Sequence, residues 1–240
     1  MITSKEFYKM QGMVDRYDRI RPYSILDLFQ EIAGVHANDL GFGYEYMMQN
    51  GINWILVRNK FEIIKYPTVS SVVKVETWPI KPKRFESERQ YIIYDESGNI
   101  LVKGSSIWVV IDVINKRIVS DDKIIYPGEF VDKNNFEEKF SKIRITNKDD
   151  FKFVKSFEVL PSMIDHNNHM NNAKYSELFF DTYNMNESDE IDVFQVDHVK
   201  ESLLGDIIDV YQYKLDNELY LFGKVNDNVV MNIYVRFKLK

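Results

Sequence analysis

The sequence predicts an α+β chain built from two similar halves, each an antiparallel sheet with one apolar helix. Three observations lead there. Most apolar segments have strand character, only two have helical spacing, and the order strand, helix, strands occurs twice along the chain.

In the first half, residues 53–64, 71–78, 89–94 and 100–113 are rich in β-branched and aromatic residues and read as strands. Asp95-Glu-Ser-Gly-Asn99 between the last two is a hairpin turn signal. Residues 24–41 differ. Ile25, Leu28, Phe29, Ile32 and Val35 fall on one helical stripe, with Ser24 as the expected N-cap, Asp27 as its capping-box partner and Gly41 as the stop. The second half repeats the order. A strand is expected over 151–160, then a helix over 172–183 with Tyr175, Leu178, Phe179 and Tyr183 on one stripe. Strands follow at 192–200, 207–215, 218–225 and 229–239, and Asp216-Asn217 and Asn226-Asp227-Asn228 signal turns.

The halves also match in their residues. Tyr23-Ser24 aligns with Tyr175-Ser176, 152 positions on, and Lys65-Tyr66-Pro67 aligns with Lys200-Glu201-Ser202, 135 positions on. Two matches in the same order argue for duplication of one α+β unit. A single long apolar helix beside an antiparallel sheet suggests the hotdog arrangement, with the sheet wrapped around the helix, in tandem. The expected division is 1–120 for the first hotdog, 121–150 for an interdomain linker with a short helix over 132–139, and 151–240 for the second hotdog.

Composition narrows the function. Hydrophobic residues make up 45% of the 240, enough for one large core or two small ones. The absence of cysteine excludes a disulfide framework, a thiolate zinc site and a Cys nucleophile, and fits a reducing, cytoplasmic setting. No signal peptide is visible, and the longest apolar run, 107–114, is too short to span a bilayer. A net charge of −6 argues against non-specific nucleic-acid binding. No G-x-S-x-G, P-loop or dinucleotide fingerprint occurs.

The densest polar constellation is Asp165-His166-Asn167-Asn168-His169-Met170-Asn171-Asn172, just before the second helix. Free N–H groups at a helix start can face the developing charge of a thioester oxyanion. Aspartate can activate water, asparagine can hold it, and histidine can move protons near neutral pH. Read alone, the loop is more readily a solvated turn with an asparagine cap. The repeat favours chemistry: at the 152 spacing Asp165, Asn167 and His169 face Met13, Asp15 and Tyr17, and at the 135 spacing Glu201 faces Tyr66. The first copy thus lacks the set. His166, His169 and Asp165 invite a metal reading, but only His36 and His198 remain as histidines. No metal and no cofactor are expected. His36 and His198 read as structural residues.

The stretch Asp165-His-Asn167-Asn-His169-Met-Asn171-Asn172-Ala-Lys174-Tyr175 resembles the D-x-N-x-H-V-N-N-x-K-Y motif of the acyl-ACP thioesterases of plants and bacteria, with Met170 in place of Val. Asn53-Trp54-Ile-Leu-Val-Arg58, residues 66–78 and Ser105-Ser106-Ile-Trp108-Val-Val resemble further segments of that family in the same order. The resemblance covers almost the whole chain and implies a double hotdog that hydrolyses fatty acyl-acyl carrier protein. It implies catalytic roles for Asp165, Asn167, His169 and Glu201, and substrate contacts at Asn171, Asn172, Trp54 and Arg58. It also implies an acyl-chain pocket in the first half. Plant members often carry a cysteine where this chain has Ser202, so carboxylates and water must do the work here. Asp165 acting on water and Asp165 attacking directly both stay open.

Lys81-Pro-Lys83-Arg84 is a basic run and a candidate dock for acidic acyl carrier protein, although such runs are mostly solvated loop faces. The phosphopantetheine-linked acyl carrier protein is the expected partner, with no nucleic acid or membrane. The two halves would form an internal pseudo-dimer, and a homodimer of such chains stays open. An acyl-CoA thioesterase, a hotdog dehydratase and a non-catalytic acyl-thioester binding protein are the competing readings.

Overall fold

The computed structural model describes residues 1–8, 11–67, 72–120, 124, 126–138 and 140–239. Ser71 of the expected second strand and Lys139 of the expected linker helix lie outside these. The chain packs into two units: residues 1–59 with 64–140, and residues 60–63 with 141–240.

The first unit contains β1 (Thr3–Tyr8), α1 (Pro22–Asp39), α2 (Tyr44–Gln49), β2 (Ile52–Ile63), β3 (Val72–Pro79), β4 (Ser87–Tyr94), β5 (Ile100–Asp112) and β6 (Arg117–Val119). The last residues of β2 group with the second unit. Strand order is β1-β3-β4-β5-β2, with β6 paired to β5. The second unit contains β7 (Lys152–Glu158), α3 (Tyr175–Thr182), β8 (Ile191–His198), β9 (Ile207–Leu215), β10 (Glu218–Val225) and β11 (Asn228–Phe237). Its order is β7-β9-β10-β11-β8. Replacing each strand of the first order by its counterpart gives the second, so the repeat read in the residues is also a repeat of topology.

Helix α1 begins two residues before the expected start. Pro22 occupies its first turn, where a missing N–H costs nothing, and Arg21 precedes it in extended conformation. Ser24 is therefore not the cap. It lies inside the helix, and its hydroxyl donates to the Met13 carbonyl at 3.0 Å. Gly41 ends the helix as expected, at φ +83, a left-handed conformation open to glycine.

The buried face of α1 holds Ile25, Leu26, Leu28, Phe29, Ile32, Ala33 and His36, and lies on the sheet. Phe29 stacks on Tyr91 of β4 with ring centroids 4.2 Å apart. On β5, Gly104 makes room for that ring: a Cβ there would sit 2.2 Å from Phe29 Cε2. In the second unit α3 is shorter, extended at its start by a 3-10 turn at Asn172–Lys174. Phe179 packs edge-on to Phe194 of β8 and stacks on Tyr183, which meets Phe237 of β11.

No helix forms over the described residues of 132–139. The segment is an irregular strap instead. The Asn135 side-chain amide donates to the carbonyls of Tyr91 (2.7 Å) and Gly104 (2.9 Å), which are register partners across β4 and β5. Trp78 Nε1 donates to the Lys133 carbonyl at 2.8 Å. The strap supplies partners to polar groups of the sheet, which a helix would have spent on itself.

Two histidines are held neutral. His36 Nδ1 accepts from the buried guanidinium of Arg89 at 2.9 Å, which also donates to Thr77 Oγ1 at 3.2 Å. Burial, then the adjacent Arg89 charge, lowers the His36 pKa to about 4. His198, at the end of β8, has both ring nitrogens buried without a hydrogen-bond partner, and burial lowers its pKa to about 3.

Two outcomes follow from this packing. Gly104→Ala should cost about 2–3 kcal/mol through overpacking against Phe29, which lowers the melting midpoint by roughly 4–12 °C. An unchanged midpoint would refute the close approach. Unfolded histidine titrates near 6.5, above the native values of both His36 and His198. The unfolded state therefore binds the extra protons as pH falls. Stability is full above about 6.5 and declines by roughly 1.4 kcal/mol per pH unit for each histidine, towards about 4 for His36 and about 3 for His198. Melting followed between pH 7 and pH 4.5 should show this slope, and His198→Phe should flatten it.

Candidate active site

A tight loop precedes α3. It follows a 3-10 turn at Pro161–Met163 and is closed by an antiparallel bridge between Ile164 and Met170. Asp165 N donates to the His169 carbonyl at 2.9 Å, and Asn168 N to the Asp165 carbonyl at 3.0 Å. Asn168 sits at the turn with φ 62, which asparagine tolerates better than most residues. The Asp165 carboxylate accepts the Asn167 N–H at 2.8 Å through Oδ1, so one oxygen holds the loop and Oδ2 remains for other chemistry.

Glu201 comes from the segment after β8. Val199 N and Lys200 N both donate to the Val230 carbonyl, at 2.9 and 3.1 Å, and Met170 N donates to the Ser202 carbonyl at 2.9 Å. These bonds bring Glu201 Oε2 within 3.0 Å of His169 Nε2. Both side chains are partly exposed. With its proton on Nε2 and donated to Glu201, the neutral imidazole carries a basic Nδ1. Asp165, Asn167, His169 and Glu201 all lie in the second unit.

The first unit contains the same loop. A 3-10 turn at Gln11–Met13 precedes a bridge between Val14 and Ile20, Asp15 N donates to the Arg19 carbonyl at 2.8 Å, and Asp18 has φ 60. The loops therefore align at a spacing of 150, and the expected counterparts of Asp165, Asn167 and His169 are corrected to Asp15, Tyr17 and Arg19. A constant 152 failed because the second copy inserts two residues between loop and helix, within the 3-10 turn at Asn172–Lys174. The shared Met-Val-Asp and Met-Ile-Asp triplets, at 13 and 163, carried the signal for the true register. The 135 spacing holds: Ile64 N and Lys65 N both donate to the Leu101 carbonyl as their counterparts do to Val230, which sets Tyr66 opposite Glu201.

The first copy thus keeps the aspartate, and its chemistry is closed. Asp15 Oδ1 accepts from Tyr17 N and Arg19 N, at 2.8 and 3.0 Å, while Oδ2 takes the Arg19 guanidinium at 2.8–2.9 Å. Both side chains are about nine-tenths buried. A permanent cation occupies the place of an exchangeable imidazole.

The start of α3 is not an open cradle of N–H groups, contrary to expectation. Ala173 N donates to Asn171 Oδ1 at 2.9 Å, Lys174 N to the Asn171 carbonyl, and Tyr175 N to the Ala173 carbonyl. Asn171 caps the 3-10 turn with the side chain that was expected to touch substrate, and Asn172 is the first residue of that turn. Trp54 and Arg58 lie in the first unit. Trp54 packs on the core cluster of Phe42, Met47, Ile52, Val110 and Ile124, and Arg58 donates to the Phe140 carbonyl at 3.3 Å and covers its ring. Lys81, Lys83 and Arg84 are exposed around a turn in which Lys83 and Glu86 exchange backbone hydrogen bonds, with Arg84 over the Phe85 ring. Among the described residues no group of three His, Cys, Asp or Glu side chains is placed to hold a metal ion.

Comparisons with known proteins agree with this architecture. The chain is 26% identical over 208 residues to oleoyl-acyl carrier protein thioesterase 2 of Arabidopsis thaliana, a chloroplastic protein, covering 78% of this chain and 56% of that one. It is 31% identical over 159 residues to a palmitoyl-acyl carrier protein thioesterase of Cuphea hookeriana, covering 60% and 36%. The chain therefore spans about half the length, or less, of these plant relatives. Its fold matches that of an acyl-ACP thioesterase from Bacteroides thetaiotaomicron with a TM-score of 0.89 at 24% identity, over 99% of this chain and 98% of that one. It matches the 12:0-ACP thioesterase from Umbellularia californica with a TM-score of 0.83 at 18% identity, over 100% and 98%. These matches bear out the double-hotdog expectation. Residues 2–125 match the acyl-ACP thioesterase N-terminal domain and residues 146–236 its C-terminal domain, and the chain belongs to the acyl-ACP thioesterase family.

Proposed function

We propose that the chain hydrolyses the thioester of a fatty acyl chain on acyl carrier protein, releasing free fatty acid and the carrier's thiol, with the second unit as the catalytic one. The observation that carries this reading is the contrast between the two loops. The second keeps an aspartate oxygen and a His169–Glu201 pair at 3.0 Å, while the first has the same aspartate saturated by Arg19.

Water adds to the thioester carbonyl carbon, with Asp165 Oδ2 as the base that takes its proton. The Asn167 amide orients that water or the carbonyl. Collapse of the tetrahedral intermediate breaks the C–S bond, and the thiolate takes the proton that Asp165 received from water, which restores the carboxylate; His169, held by Glu201 through Nε2, relays that proton through Nδ1. Attack by Asp165 itself would pass through a mixed anhydride. Single turnover in ¹⁸O-labelled water separates the two routes, because only the anhydride route can leave label in Asp165.

The purified chain offered matched acyl-ACPs and acyl-CoAs should release fatty acid from acyl-ACP. Asp165→Asn should lower the rate by about 10²–10⁴-fold, the range for loss of a positioned acid or base. Faster release from acyl-CoA would move the assignment to an acyl-CoA thioesterase. No release above the variant from either substrate would leave the binding-protein reading.

Carrier protein is acidic, and the exposed turn of Lys81, Lys83 and Arg84 offers it opposite charge. Lys83→Glu with Arg84→Glu should raise KM for acyl-ACP about tenfold at low salt and by less at high salt, with kcat unchanged. An unchanged KM at low salt would remove this turn from the docking surface.

A further inference from the structure

The segment carrying Glu201 is fastened to the catalytic loop at one residue. Ser202 presents both backbone groups inward: its carbonyl accepts Met170 N–H at 2.9 Å, and its N–H donates to Tyr175 Oη at 3.0 Å. Met170 follows His169, and Tyr175 opens α3. The flanks of the loop therefore clasp the residue next to Glu201. Tyr175 is buried, its ring edge-on to the His198 ring at a centroid distance of 5.4 Å, so packing limits where its hydroxyl can point.

The first unit cannot make this clasp. At the register set by the paired bonds to Leu101 and Val230, the counterpart of Ser202 is Pro67, which has no N–H to donate. The counterpart of Tyr175 is Tyr23, so the tyrosine is common to both copies. The tyrosine half of the clasp is thus confined to the copy that carries the acidic and imidazole groups. A bond required by the fold alone would be expected in both copies.

We infer that Tyr175 is a positioning residue for the reaction: its hydroxyl, through the Ser202 N–H, holds Glu201 against His169. The role rests on the thioesterase reading above. Tyr175 touches neither substrate nor the reacting atoms. Removing its hydroxyl frees one of the two ties on Ser202, and displacement of a catalytic group by an ångström is enough to cost roughly a hundredfold in rate.

The test is Tyr175→Phe, which keeps the ring against His198 and deletes the acceptor. With acyl-ACP, kcat should fall roughly 10- to 100-fold with KM within about twofold. In a Glu201→Gln background the same change should have almost no further effect, because the group being positioned is gone. Melting midpoints measured alongside separate this from general loosening, which would act equally in both backgrounds. Nitrogen NMR of the histidine rings supplies a readout independent of turnover. His169 should show the Nε2–H tautomer in the native protein and an averaged signal in Tyr175→Phe. An unchanged His169 signal, or equal kcat losses in the two backgrounds, would overturn the inference. Absence of hydrolysis by the native protein would overturn the functional reading, and the NMR comparison would still decide the clasp.

Discussion

A carboxylate that accepts a hydrogen bond from the backbone two residues on closes the loop before each helix, and the rest of each site is arranged around it. In both copies the aspartate oxygen takes the N–H at 2.8 Å, the following turn residue has positive φ, and a one-rung bridge seals the loop base. This geometry is local and does not depend on which side chains sit at the next positions. That tolerance let the copies diverge. An arginine at the fifth position turns the loop into a buried, saturated ion pair. A histidine there leaves half the carboxylate open and reaches out to a glutamate from another segment.

The sheets and helices exist to hold these loops at a fixed place. In each unit the helix that follows the loop is pinned by aromatic stacking on the strands, through Phe29 and Tyr91 in one and Phe179, Phe194 and Tyr183 in the other. The connecting strap adds rigidity by offering partners that the sheet lacks, as when Asn135 bridges the carbonyls of two adjacent strands. Buried polar groups such as Arg89 and His36 satisfy each other.

Much of this was legible in the sequence, for physical reasons that also mark where legibility ends. Strands at 207–215 and 218–225 stood out because alternation and turn residues fix their limits within a few positions. The start of α1 was missed because Ser24 looks like a cap, whereas Pro22 and a bond from the Ser24 hydroxyl to Met13 set the true boundary. The expected helix over 132–139 failed because tertiary partners outweigh local propensity in that strap. The motif residues Asp165, Asn167, His169 and Glu201 were legible, and the structure brings His169 and Glu201 into contact. The role of Asn171 as a turn cap and the state of Asp15 were not. Both depend on a two-residue insertion that a single constant spacing hides, and backbone partners leave no trace in residue type.

The proline at position 67 has a consequence for rebuilding the first copy. Side-chain replacement alone does not make the copies equivalent. The difference also lies in the main chain, since position 67 has a proline nitrogen where Ser202 has an N–H. Restoring histidine, asparagine and glutamate at 19, 17 and 66 would rebuild the polar set yet leave position 67 with no N–H of its own to offer. A fourth substitution, replacing Pro67 by a residue with an N–H, would be needed to give the first copy the main-chain donor that Ser202 supplies in the second.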